Sequence, residues 1–132
     1  DKGIHEFTYS LFLHKDPSLE GTVKEAYDLN VDQLVCEKKE DNSLAILPDV
    51  TSFISYTTKG VLLDTIKLAE DNDGFILRFF EFQGGYDTLK INSGVTSLSS
   101  VNILEAKKQI KEEDMFVFSP FQIKSYRAKL KM

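Results

Sequence analysis

A chain of 132 residues holds one core, or a small domain plus part of another, and an apolar share of 42% with ten Phe excludes a disordered tail. Lys and Arg number 16 against 21 Asp and Glu, giving a net charge of −5 and a pI near 5.0, which leaves no basic stripe for nucleic acid or an anionic membrane. The single cysteine, Cys36, excludes an internal disulfide, and no apolar run approaches the roughly 20 residues of a membrane span or reads as a signal peptide. Together these features fit a cytoplasmic protein. The start at Asp1, without an initiator Met and almost directly in strand-like sequence, reads as a piece cut from a longer chain.

Residues 4–14 alternate, with Phe7, Tyr9, Leu11 and Leu13 sharing a face against Glu6, Thr8, Ser10 and Phe12. That pattern predicts a long, half-buried strand. Asp16-Pro17 then supplies a helix start, Asp16 as cap and Pro17 at the first helical position. Leu19, Val23, Ala26 and Tyr27 form one helical stripe, which predicts a short helix to about Tyr27, weakened by Gly21. Residues 33–36 read as a short strand, with Cys36 half-buried in it. The polar run Glu37-Lys38-Lys39-Glu40-Asp41-Asn42-Ser43 and Pro48-Asp49 mark the best boundary in the chain.

Beyond that boundary the sequence reads as strands and turns: 51–56, 61–68, 75–82, 86–92, 95–104, 115–118 and 121–130. The acidic loop Glu70-Asp71-Asn72-Asp73-Gly74 has the composition of a tight strand-to-strand connection. In the strand after it, Phe75, Leu77 and Phe79 point to one side and Ile76, Phe80 and Phe82 to the other, broken only by Arg78 and Glu81. A strand apolar on both faces needs cover on both. Gly84-Gly85 reads as the turn of a hairpin into the next strand, where Leu89 and Ile91 face in while Thr88 and Lys90 face out. Residues 107–114 read as a solvated turn. In the last strand Phe121 and Ile123 share one phase and Tyr126, Ala128 and Leu130 the other, which suggests a bulge or corner. About seven short strands after one helix predict a mainly β fold, an antiparallel β-sandwich with one short helix near the N-terminus.

Chemistry is nearly absent. His5 and His14 fall on opposite faces of the predicted strand, so they do not converge on a metal. No CxxC, HExxH, GxSxG or phosphate-loop pattern occurs. Gly74 sits fourth counting from Asp71, whereas a calcium-binding EF-hand loop needs Gly at its sixth position and Glu at its twelfth; Asp71 and Asp73 are better read as holding local amides. Every Asp and Glu has a surface reading. With no Trp and scattered Tyr, a sugar-stacking aromatic platform is disfavoured.

Several stretches taken in order resemble glycoside hydrolase family 38, the α-mannosidases. HEFTYSLFLH at 5–14 and VKEAYDLN at 23–30 are similar to the last segment of that family's central β-domain. SFISYTTKGVLLDTIKLAEDNDGFILRFFE at 52–81 resembles its pattern of a Ser-Phe start, a strand, Lys-Ala-Glu-Asp, a turn Gly, and a strand carrying Arg and closing on Glu. VNILE at 101–105 and SPFQIKSYRAKL at 119–130 are similar to its closing strands, with Gln122 where the family often has Glu.

The resemblance implies a retaining α-mannosidase as parent, with a catalytic zinc, an aspartate nucleophile and an acid/base carboxylate in a barrel domain that this sequence does not contain. It implies no catalytic, cofactor-binding or metal-binding residue here. It also implies an organisation of 1–37 as the end of a central β-domain, 38–50 as linker and 51–132 as a small C-terminal β-sandwich. The partners would be the catalytic and central domains of the same chain and, through them, a mannoside substrate; nucleic acid and membrane are excluded. If any loop approaches the cleft or an interface it is Asp71, Asp73 and Gly74, with Arg78 as the paired charge beneath. The competing readings are a stand-alone carbohydrate-binding module and an interaction sandwich with no link to sugar.

Overall fold

The computed structural model describes residues 2–37, 50–109 and 115–130. The chain divides into two compact units, Asp1–Ser43 and Leu44–Met132. The predicted linker at 38–50 lies outside the described residues but for Val50.

Among the described residues of the first unit the one regular element is the helix α1, Glu20–Asn30. It starts later than predicted. Asp16 does not cap it: its Oδ1 accepts from Ser18 N at 2.8 Å, and Ser18 Oγ accepts from Glu20 N at 3.1 Å, so Asp16-Pro17-Ser18 is a turn that delivers the chain to the helix. Leu19 is the N-cap and offers no side-chain bond.

The predicted strand at 4–14 does not form. Phe7, Tyr9, Leu11 and Leu13 are each more than 80% exposed. Alternation specifies a strand only when a partner supplies the ladder bonds, and no described residue pairs with this segment. The same holds for 33–36, which is not a strand; Leu34, Val35 and Cys36 are exposed rather than half-buried.

The second unit is mainly β and antiparallel, as its composition predicts. Its strands are β1 Ser55–Thr57, β2 Val61–Leu68, β3 Phe75–Glu81, β4 Asp87–Thr88, β5 Lys90–Ser93, β6 Val95–Val101, β7 Val117–Phe118 and β8 Ile123–Leu130. β2-β3-β8-β6 form a four-stranded sheet, and the pairs β1-β5 and β4-β7 form two small ones. Val61, Leu77, Phe79, Tyr126 and Ala128 from the large sheet meet Ile54, Leu89 and Phe118 from the other side. All are nine-tenths buried or more, so the two layers make a sandwich around one core. Phe79 makes edge-on ring contacts with both Tyr56 and Tyr126, at centroid distances of 5.5 and 6.0 Å.

Local chemistry explains the connections. Ala69 N donates to Gly74 O and Asn72 N to Ala69 O, both at 2.9 Å, closing the acidic loop between β2 and β3 as predicted. Gly74 has φ of 99°, and a Cβ there would stand 2.6 Å from Ala128 O; only glycine serves. Gly94, φ 90°, lets the chain leave the small sheet at β5 and enter the large one at β6, where a Cβ would lie 1.8 Å from Phe53 O.

Other expectations are corrected. Gly84-Gly85 does not close a hairpin, because β3 is already flanked by β2 and β8 and the following strands pair with β7 and β1. The predicted strand 86–92 splits at Leu89, which turns into the core. The strand expected from Thr51 begins at Ser55. No bulge interrupts β8 against β3: the register runs evenly from Phe80↔Ile123 to Phe75↔Ala128. Ile123 faces outward beside Phe80 while Tyr126 and Ala128 face the core, so the two apolar phases are the two faces of one even strand; the corner lies just before it, where Gln122 N donates to Ser119 O and Phe121 has φ of 56°. In the predicted 107–114 turn, Lys107 bridges Val101 and 110–114 lie outside the described residues.

Candidate functional site

β3 is one of the two inner strands of the large sheet, and its two phases have different fates. Leu77, Phe79 and Glu81 lie on the inner phase and are buried, whereas Ile76, Arg78, Phe80 and Phe82 lie on the outer one. Ile76 is covered by a small second cluster with Ala69 and Val101. Further along, Phe80 and Phe82 are only half-buried, with ring centroids 6.3 Å apart. Ile123, beside Phe80 in register, is 65% exposed, and Phe121 is 72% exposed. Part of the outer face therefore remains exposed, although the doubly apolar pattern of β3 calls for cover on both faces.

The acidic loop is held down by cations, but not by the one expected. Asp71 Oδ1 accepts from Asp73 N at 3.0 Å, and Asp71 Oδ2 accepts from Arg127 Nη1 at 2.5 Å. Asp73 pairs with Lys129. Arg127 first, then the Asp73 amide, holds the Asp71 carboxyl below its usual range. Glu105, on a left-handed backbone, accepts from Glu70 N at 2.9 Å and pairs with Lys67 at 2.6 Å. Its pKa is lowered by Lys67 foremost and then by the Glu70 amide. Arg78 is elsewhere. It lies beside Ser125 in register, and its Nε donates to Ser125 Oγ at 3.3 Å.

Two further carboxylates do work that the sequence reading assigned to no residue. Glu81 is 1% exposed. Its Oε1 accepts from Gln83 N at 2.7 Å, and its Oε2 from Gly84 N at 2.9 Å and Phe121 N at 2.8 Å. Burial pushes this carboxyl up, but the backbone donors outweigh burial and leave it below the usual range. Asp87 Oδ2 takes Thr58 Oγ1 at 2.5 Å, Lys59 N at 2.9 Å and Gly60 N at 2.6 Å, clamping the β1–β2 turn. Its pKa too ends lowered, burial being offset by Thr58 and the amides. The expectation that every acid sits on the surface fails for Glu81 and Glu105. The signal that could have found Glu81 was its inner phase in a greasy strand: a buried carboxylate must be fed donors.

Arg78 borders an open groove of about 760 Å³ on the large sheet, lined also by Asn102, Lys108, Gln122, Ile123 and Ser125. Among the described residues no three His, Cys, Asp or Glu converge as metal ligands, and no helix is long and apolar enough to cross a membrane.

Residues 60–126 match the model of the glycosyl hydrolases family 38 C-terminal beta sandwich domain. The chain is 32% identical over 137 residues to alpha-mannosidase G of Dictyostelium discoideum, covering 96% of the chain and 12% of that protein. It is 30% identical over 138 residues to alpha-mannosidase 2C1 of Mus musculus, covering 95% of the chain and 13% of that protein. The chain thus spans about an eighth of the length of the curated relatives it matches. No solved structure matches it.

Proposed function

Because the chain belongs to the glycoside hydrolase family 38 C-terminal β-sandwich domains, we propose that it is the C-terminal part of a longer α-mannosidase and braces that enzyme's catalytic part without supplying catalytic residues. The observation that carries the bracing role is the outer face of β3 and β8. Phe80 and Phe82 are half-buried and Ile123 and Phe121 exposed, an apolar surface that gains by being covered. Residues 1–37 are then the end of the preceding β-domain. Their exposed Phe7, Tyr9, Leu11 and Leu13 would find ladder partners in the rest of that domain. The Asp71 loop is an interface loop in this reading, its charges already balanced by Arg127 and Lys129.

The catalytic zinc that the family resemblance implies finds no fit among the described residues. The described part of the chain gathers no ligand set, and Asp71 and Asp73 are taken by cations. We therefore assign the metal, the nucleophile and the acid/base group to the remainder of the parent, along with hydrolysis of α-mannosides. We place the protein in the cytoplasm, a reading supported by Cys36, the single cysteine of this sequence, which is exposed as a free thiol.

Two measurements test this. Ile123→Asp should leave the melting of the isolated chain within about 0.5 kcal/mol of the original, since its side chain is mostly solvated. In the full-length enzyme it should lower thermal stability, because a charge would enter a desolvated contact. An unchanged full-length enzyme would remove the bracing role. Titration of the chain with mannose and short α-mannosides should show no saturable binding at millimolar concentration; saturation would replace bracing with a glycan-holding module.

A further inference from the structure

The groove beside Arg78 has a consistent chemistry once the bonds already made by its walls are subtracted. Asn102 Oδ1 accepts from Leu104 N at 2.9 Å and from Ala106 N at 3.0 Å. Gln122 Oε1 accepts from Ser119 N at 3.0 Å. With both oxygens engaged, these side chains have their NH₂ groups left to offer, Asn102 Nδ2 and Gln122 Nε2. Ser125 Oγ already accepts from Arg78 Nε, so its remaining proton is a donor. Among the described residues, no acceptor is bonded to Arg78 Nη1 or Nη2. Lys108 adds an ammonium and is anchored by its own amide on Ser100 O at 2.9 Å. Lys124 contributes only its stem, since its Nζ is held by the carbonyls of Val117 and Met115.

No described lining residue is a carboxylate, in a chain with 21 Asp and Glu. The described side chains around Arg78 offer more donors than acceptors, the acceptors being Gln109 Oε1 and Ser100 Oγ; an excess of donors suits an oxyanion, and a half-buried guanidinium whose Nη groups meet no acceptor among the described residues suits it in a bidentate way. At about 760 Å³ the groove is within the roughly 300–1,000 Å³ of small-ligand sites.

We propose that the groove formed by Arg78, Asn102, Lys108, Gln122 and Ser125 binds a phosphate group, either free or carried on a small molecule such as a sugar phosphate. The guanidinium and the Lys108 ammonium supply charge, and the two amides and the hydroxyl fix orientation. Ile103, exposed at the rim, supplies apolar surface for the rest of a small molecule. This site is read on the chain itself and does not rest on the parent enzyme.

The test is titration of the chain with inorganic phosphate, a hexose phosphate and the free hexose at low ionic strength, followed by amide chemical shifts. Saturable binding of phosphate or hexose phosphate at low millimolar concentration is expected, with shifts centred on 78, 102, 108, 122 and 125. Binding of both assigns the site to the phosphate group alone, and binding of the ester only assigns it to the sugar phosphate. Arg78→Gln should weaken binding about tenfold or more. Lys108→Gln, on an exposed side chain that the sheet does not depend on, should weaken it about threefold and keeps the test open should the Arg78 variant misfold. Absence of saturation by either phosphate, free hexose binding as tightly as its phosphate, or full affinity in the Lys108 variant would each overturn the assignment.

Discussion

Glu81 is the sharpest place to test whether the sandwich is held as described. Its carboxylate is 1% exposed and accepts three backbone N–H groups, from Gln83, Gly84 and Phe121. It thereby ties the end of β3 to the left-handed turn that starts β8. Glu81→Gln keeps the shape and one oxygen. If that oxygen replaces Oε2, two bonds survive without the charge, and the new NH₂ faces the Gln83 N–H, donor against donor. Losing one charge-assisted bond at about 1.5–3 kcal/mol and weakening two others predicts a total cost of about 2–4 kcal/mol at pH 7. The pH dependence has a definite sign. The folded pKa lies below the unfolded one, so the carboxylate's contribution is present above the unfolded value near 4.3 and is lost as pH falls through the folded value. Urea unfolding of both proteins from pH 7 to pH 3 should show a gap that closes on acidification. Equal stability at pH 7, or a gap independent of pH, would refute the account.

Three more predictions concern the same framework. Gly94→Ala should cost more than about 2 kcal/mol in denaturant unfolding, because its φ of 90° and the carbonyl 1.8 Å from the added Cβ both oppose a side chain. Asp87→Ala should cost about 1–3 kcal/mol and raise amide exchange at Lys59 and Gly60, whose N–H groups lose their acceptor. Tyr126→Phe removes a fully buried hydroxyl that donates to Met115 O at 2.5 Å, for about 1 kcal/mol. Burial pushes the Tyr126 phenol well up, so in the original protein its ultraviolet titration should appear only on alkaline unfolding.

The sheet was legible wherever a strand carries its own pattern and a turn its own chemistry. β2, β3 and the loop between them follow directly from apolar runs around Asp71-Asn72-Asp73-Gly74, and the structure closes that loop through Ala69 and Gly74. Pairing across distance was not legible. β8 inserts between β3 and β6, and nothing local to Gly84-Gly85 reveals that β3 is already occupied on both edges. Residues 4–14 show the opposite failure, in which alternation is strong but the strand is missing because ladder bonds need a second strand. The helix start moved because Asp16 and Ser18 bond within their own turn.

The charges followed the same division. Asp71 and Asp73 were recognisable as turn residues, but their partners come from β8, about 56 positions away, where Arg127 and Lys129 alternate onto the outer face. Spacing along β3 had pointed to Arg78 instead. The acids of the sandwich are largely spent on its corners: Asp87 on the β1–β2 turn, Glu81 on the end of β3, Glu105 and Asp71 on the β2–β3 loop. Arg78, released from the loop, has no carboxylate among the described residues that line its groove. In a chain of net charge −5, a cation on a half-covered sheet face that meets no carboxylate among the described residues stands to gain from an outside anion, and a binding experiment there is informative.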